Sequence, residues 1–441
     1  MVQMCIVFLF QYLDKQSLSY ASVFGLIEDL ALQGSEYSWC TSMLYIGQLL
    51  AEYPFIYLMS RLPLPKFVGT TIILWGIVCM CLAVPNTFAG FATVRFLLGF
   101  TEGAVSPAFV TLTSLWYTRS EHVNRMGALV TMSGLAQVFG SLLMYGTGKM
   151  NSRLAPWRVM FLICGALTCG VGFLFCLIVP SDPSKAWFLN RRERLVLVRR
   201  MALSREGGDR TNFSLVQMKE AIRDSKAWSV FVFGIMLTMP SPVVIFASLM
   251  IKNLNYDAFQ TMLFTAPSGA VQIVFVWIGM LLCALLPKNR CIVVMILSIP
   301  PLVGNILLLK LPLSASWAMI VSSWLASCLT GMMTIFLSLS ASNVKGNTKR
   351  AIVNSYYFIG HSAGCIAAPQ LWTSHAAPRY FEGVVAAVVS LCLLNVVIGF
   401  YWYLCYSENR ERDRDALPAP DEIQGSIDIT DKQDRLFRYS Y

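Results

Sequence analysis

Charge is scarce in this sequence: only 13% of its 441 residues are Asp, Glu, Lys or Arg, whereas 56% are hydrophobic, and mean hydropathy is +0.60. A soluble domain carries about a quarter charged residues, so a single water-soluble core, a disordered chain and a nucleic-acid-binding protein are all excluded. Histidine is scarcer still. Three residues, one of them inside an apolar run, cannot supply a multi-histidine metal site, and no phosphate-binding P-loop is present. Neither an enzyme nor a cofactor is expected. The 13 cysteines fall almost entirely within apolar runs, where they behave as small hydrophobes, so no disulfide framework is implied. No basic segment precedes the first apolar run, which reads as a shortened N-terminus. A signal peptide is not expected, because Asp14-Lys15 interrupts that run and no small-residue cleavage site follows. The N-x-S/T sequon at Asn212 lies in a basic stretch and stays unglycosylated if that stretch is cytoplasmic.

What the chain does have is long apolar runs. Stretches of about 20 residues with few charges, each enough for one membrane span, lie near 4–26, 38–60, 67–84, 88–115, 126–148 and 158–179 in the first half. The second half supplies 227–251, 262–286, 291–309, 314–340, 351–373 and 383–405. Runs of this length exclude a β-barrel, whose strands need only about 10 residues. The expected fold is therefore an all-α membrane protein of twelve transmembrane helices. Its parts are a six-helix half at 1–180, a central loop at 181–225, a second six-helix half at 226–405 and a tail at 406–441. Lys and Arg set the orientation, since cytoplasmic loops hold the excess. With both termini cytoplasmic, 26 of the 34 basic residues fall inside, six fall outside, and Lys15 and Arg95 lie within spans. Two halves joined by a long basic loop outline a transporter built from repeats, with its site near mid-membrane between them. The run from Arg191 to Arg200 reads as an amphipathic helix on the inner leaflet.

The most informative residues are charges inside spans, each costing about 2.5–3.5 kcal/mol at a helix centre. Asp14 and Lys15 sit mid-way along the first span, and Arg95 and Glu102 in the fourth. Seven residues apart, Arg95 and Glu102 project from one helix face with about 10 Å between their Cα atoms. An acid and a base on each of two helices invite cross-helix pairing, and no second-half span carries an equivalent charge. One reading is a static salt-bridge cluster. The other is a joint anion and proton site: a carboxylate beside a cation stays ionised until a substrate anion takes the cation, and then accepts a proton. Glu52, nearer the end of the second span, reads as a gate or helix-end contact. His361 reads as a neutral hydrogen-bonding group with Cys365 one turn further on the same face. Gly99, Gly103, Gly127, Gly134 and Gly140 read as positions of close helix packing. Pro107, Pro240, Pro242, Pro267 and Pro369 interrupt spans.

These residues resemble the major facilitator superfamily and, within it, the fungal anion:cation symporters of the allantoate permease type, from about residue 10 to 405. The resemblance is carried by Leu13-Asp14-Lys15 with Tyr20-Ala21-Ser22, by Glu52-Tyr53-Pro54 with Arg61-Leu62-Pro63, and by Arg95-Phe96-Leu97-Leu98-Gly99 with Glu102 and Pro107. Trp116-Tyr117, Glu121, Trp157-Arg158, Pro180-Ser181-Asp182-Pro183 and Gly346-Asn347-Thr348-Lys349-Arg350 extend it. It implies that Asp14 and Glu102 serve proton coupling, that Lys15 and Arg95 contact a substrate anion, and that Tyr45 lines the cavity. In the eleventh span this chain has Gly364-Cys365, Ala368-Pro369 and His361 where allantoate-type relatives commonly have Gly-Asn, Gly-Pro and an aromatic.

The expected function is proton-coupled symport of a small organic anion, a carboxylate such as a ureide or vitamin, by a monomer in the plasma membrane. The partners are the anion, the proton and the bilayer. An efflux antiporter of the same fold and a transporter-like nutrient sensor are the alternatives.

Overall fold

A helix is the structure that satisfies every backbone N–H and C=O within its own segment, which is what a chain in hydrocarbon requires. In the computed structural model all regular structure among the described residues is helical. The structure describes the chain apart from residues 104, 118, 181–185, 205–213, 255, 287–288, 373–378 and 415–428. Asn212 and Ser181-Asp182-Pro183 lie outside the described residues, as do the side chains of Tyr53, Pro107 and Glu121.

The first half comprises α1 (Val2–Val23), the single turn α2 (Leu26–Asp29), α3 (Glu36–Arg61), α4 (Leu64–Cys81), α5 (Phe88–Glu102), α6 (Val105–Trp116), α7 (Arg119–Gly148) and α8 (Pro156–Ile178). Two short helices follow, α9 (Arg191–Ser204) and α10 (Leu215–Arg223). The second half holds α11 (Ser225–Thr238), α12 (Pro242–Lys252), α13 (Ala258–Leu285), α14 (Arg290–Lys310), α15 (Ser316–Ala326), α16 (Thr330–Ser342), α17 (Asn347–Ala367), a 3-10 turn (Ala368–Leu371) and α18 (Phe381–Arg414). Helix occupies each of the twelve apolar stretches. Eight segments among the described residues are long and apolar enough by themselves to cross a membrane; α1, α3, α5 with α6, and α17 are the stretches outside that group.

Three expected spans are broken. The chain leaves the helix after α5 at Gly103, between α11 and α12 where Pro240 and Pro242 each lack an N–H, and between α15 and α16 at Ser327–Leu329. The last break has no proline. There the hydroxyls of Ser322, Ser323 and Ser327 bond back to carbonyls three or four residues earlier, an arrangement that competes with the helix ladder. The basic helix α9 forms, but its consecutive apolar residues Leu195, Val196 and Leu197 point about 100° apart and gather on no single face, so it is not amphipathic. The helix with a buried face is α10, which turns Gln217 and Ala221 inward. Helix α18 continues to Arg414, nine residues past the expected span end, with Glu408 and Arg412 one turn apart at 3.8 Å.

Two buried cores organise the bundle. One contains most first-half core residues together with α12, Trp372 and Tyr380; the other joins α11, α14, α16, α17 and α18. The halves are therefore fused at one end, where α1 finishes and α3 begins. There Ser19 donates to the Ile245 carbonyl, Ser38 to that of Trp372 and Ser42 to that of Ile366, and Phe246 packs on Tyr37 and Trp372.

Candidate functional site

Helices α3 and α5 cross closely because both are glycine there. A Cβ on Gly99 would overlap the Leu44 carbonyl, and one on Gly47 the Phe96 carbonyl. The crossing brings Tyr45 of α3 and Glu102 of α5 to the same depth, and α1 adds Lys15. Lys15 Nζ lies 3.1 Å from Glu102 Oε1. The carboxylate has no exposure at all, whereas the lysine side chain keeps 24%, so the cation is the half of the pair that meets solvent.

Asp14 and Arg95 lie behind this pair. Adjacent residues on a helix point about 100° apart, so Asp14 turns from Lys15 toward Trp75 and Cys79 of α4. Both its oxygens are buried, and among the described residues neither has a partner in hydrogen-bonding geometry. Arg95 is 1% exposed; its guanidinium sits 5.8 Å from the Phe91 ring centre and 5.9 Å from that of Phe161, and its Nε and Nη2 have no hydrogen-bond partner among the described residues. Arg95 is electrostatically coupled to Asp14 and Cys79 and, on its own side, to Tyr37 and Cys40. Arg95 and Glu102 both face inward from α5. Two turns apart, they meet different neighbours.

The second half approaches through α17. Gly360 and Gly364 let α17 press against α11, and His361 and Cys365 stand one turn apart with 3.8 Å between Nε2 and Sγ. His361 Nδ1 is buried with no hydrogen-bond partner among the described residues. Lys15 is electrostatically coupled to both His361 and Cys365, and the Tyr45 hydroxyl reaches Cys365. Lys15, Glu102, Tyr45, His361 and Cys365 are thus one constellation drawn from both halves. Glu52 is separate: it is half-buried further along α3, with no hydrogen bond or ion pair among the described residues.

Sequence reasoning missed a row of neutral polar groups at the same interface. Gln137 of α7 donates to Ser268 of α13 at 2.7 Å, where Gly134 and Gly269 let the helices touch. Tyr12 reaches Gln16 and Gln272, and Gln272 donates to the Ser327 carbonyl at the break between α15 and α16. The available signal was glutamine within apolar runs, a buried amide that needs a partner.

The pentapeptide Gly360-His361-Ser362-Ala363-Gly364 matches G-x-S-x-G, but it lies inside the continuous helix α17 and not on the strand-to-helix turn that exposes a nucleophile. No group of three His, Cys, Asp or Glu among the described residues can hold a metal. A cavity of about 50 Å³ beside Tyr37, Ser38, Phe246 and Trp372 lies in the fused end, away from the charges. It is far smaller than the roughly 300 Å³ of a small-molecule site.

The model of the Major Facilitator Superfamily matches residues 4–369. An uncharacterized transporter of Schizosaccharomyces pombe is 34% identical over 447 residues, covering 99% of this chain and 86% of its own. The allantoate permease of Saccharomyces cerevisiae is 29% identical (99% and 84% covered) and the thiamine pathway transporter of the same yeast 28% (99% and 84%). Among solved structures, a bacterial homolog of the human lysosomal transporter Spinster, inward-facing and unoccupied, aligns with TM-score 0.65 at 16% identity over 95% of this chain and 98% of that one. The Escherichia coli xylose transporter XylE, partially occluded and inward open, gives 0.63 at 13% identity, covering 89% and 96%.

Proposed function

Since the chain belongs to the Major Facilitator Superfamily and is a multi-pass membrane transporter, not an enzyme, we propose that it is a proton-coupled symporter of a small organic anion. It works by alternating access of two six-helix halves, with twelve spans and both termini cytoplasmic in the plasma membrane. The observation that carries this reading is the ion pair of Lys15 with fully buried Glu102, facing His361 and Cys365 of the other half.

The chemistry follows from charge balance. With no substrate, Lys15 neutralises Glu102. A substrate carboxylate that reaches the exposed side of Lys15 competes for the ammonium, and Glu102, losing its counter-charge in a buried position, takes up a proton. Substrate anion and proton then occupy the site together, and each favours the other's binding by the same free energy. Removing either one restores the Lys15–Glu102 pair. Asp14 is the second proton candidate, and enclosed Arg95 the fixed cation that balances it. Tyr45 and His361 contribute neutral hydrogen bonds to the body of the substrate. The fused end is the outer end in this topology, so the path between the halves opens inward. Glu52, near the inner end of α3, stands at the rim of that path.

The allantoate permease relative directs the substrate search toward nutrients bearing a carboxylate. Uptake of a labelled carboxylate panel by expressing cells at external pH 5 and 7.5 tests the reading. Uptake of at least one anion that is faster at pH 5 and abolished by a protonophore supports it; uptake indifferent to pH and protonophore refutes it.

A further inference from the structure

Residues 429–441 form no helix, yet Thr430, Asp431 and Tyr439 are buried against the bundle. Asp431 is 1% exposed. Its carboxylate lies 2.8 Å from Lys349 Nζ at the first turn of α17 and accepts a hydrogen bond of 2.7 Å from the Tyr439 hydroxyl. Lys349 is equally buried and is also 2.8 Å from Glu220 of α10 and from Asp224, the cap of α11. One lysine thus ties together three pieces of chain distant in sequence. Removing so many charges from water is costly, and it is offset only by fixed partners at short range.

The remaining contacts read the segment's identity. The Tyr439 ring carries Lys226 Nζ 3.5 Å from its centre, and its hydroxyl accepts from Arg412 at 2.9 Å. Asn409 bonds both the N–H and the C=O of Tyr439, and Asn343 does the same to Ser440, at 2.7–2.9 Å. Each of these amides clamps a peptide unit as a neighbouring strand would. All of these partners come from α10, α11, α17, α18 and the α16–α17 connection.

We propose that this groove is a selective peptide-binding site whose ligand is the chain's own residues 429–441, held as a clasp that makes the second half one rigid body. The recognised chemistry is a buried aspartate read by Lys349 and a tyrosine eight residues later read by Lys226, Arg412 and Asn409. Because the clasp joins α10 and the start of α11 to the start of α17, it sets the end of the helix pair on which His361 and Cys365 stand. Its partners belong to the second half and its continuation in α18 or to α10 and Asp224, which Lys349 of α17 ties to that half, so it travels with that half and does not bar the path between the halves. This inference does not depend on the substrate or on proton coupling.

The test uses the full-length chain in lipid nanodiscs. In a Cys405→Ser background, which removes the native thiol 3.7 Å from Asn343 Nδ2, Asn343→Cys combined with Ser440→Cys brings two thiols to the observed contact; mild oxidation is expected to yield that disulfide nearly completely, identified by mass spectrometry, with a raised thermal midpoint. Asn343→Cys with Leu436→Cys, an exposed position, is the control. Equal yields from both pairs, or a lowered midpoint on crosslinking at Ser440→Cys, would overturn the clasp. As a second measurement, a fluorescent peptide of residues 429–441 is added to the chain ending at residue 428. Binding that weakens tenfold or more for the Asp431→Asn peptide, and no binding to the full-length chain, is expected. Binding indifferent to Asp431→Asn would overturn the proposed selectivity. If the shortened chain fails to fold, the disulfide yields decide.

Discussion

At Glu102 a carboxylate with no solvent exposure depends on one cation, and that dependence is measurable. Removing one partner of a fully buried pair costs about 3–5 kcal/mol because the other charge is stranded; Lys15 retains 24% exposure, so the cost here is smaller. Lys15→Met is expected to lower the thermal midpoint in nanodiscs by several degrees. Lys15→Met with Glu102→Gln should recover most of that loss while remaining unable to transport. A double variant no more stable than Lys15→Met would show that the pair is not coupled. All four intramembrane charges were legible in the sequence, since no apolar run contains a charge without reason. Their partners were not. The seven-residue spacing correctly put Arg95 and Glu102 on one face, but the choice of Lys15 for Glu102 and of aromatic rings for Arg95 depends on where α1 and α8 pack. Gln137 and Gln272 escaped notice because an uncharged amide gives only a weak signal against an apolar background.

Among the elements, α3 and α5 make the approach that positions Tyr45 and Glu102. Their crossing tolerates no side chain at Gly99, where a Cβ would enter the Leu44 carbonyl, while Gly170 of α8 has open space. Gly99→Ala should cost about 1–3 kcal/mol, as overpacking does, and reduce folded protein at the surface several-fold. Gly170→Ala should leave both stability and abundance unchanged. Equal effects of the two would mean that the close crossing is not what holds the elements together. The breaks between elements were partly legible: Pro240 and Pro242 announced the one after α11, whereas the serine-driven break at Ser327–Leu329 carries neither proline nor glycine. The clasp adds a pH statement. Burial alone would raise the Asp224 carboxyl, but Lys226, Lys349 and Lys432 outweigh it and hold it below the usual carboxylate range, while Asp224 and Asp431 hold the Lys349 ammonium above the usual lysine range against its burial. A depressed acid contributes stability above its unfolded value, near 4, that is lost as pH falls through the folded one; a raised base contributes stability that is lost only above its unfolded value, near 10. The clasp is therefore at full strength between about pH 5 and 9. The affinity of the 429–441 peptide for the chain ending at residue 428 should be constant across that window and fall below about pH 4. A decline between pH 7 and 5 would contradict this assignment of charges.

For the whole molecule, the all-helical architecture was legible in the sequence, because membrane insertion demands long apolar runs that are countable without any structure. The end at which the halves meet was not legible, since it depends on which of several equally apolar surfaces touch, and neither was the docking of residues 429–441, whose polar contacts follow no period. The account requires that charge and substrate be exchanged at one place between the halves. Its most direct test is Glu102→Gln, which mimics the protonated acid, measured with whichever labelled carboxylate the uptake panel identifies, in proteoliposomes. The account predicts that counterflow exchange persists within about twofold of the native chain while accumulation driven by an inward proton gradient disappears. Accumulation at the native level in Glu102→Gln would contradict it.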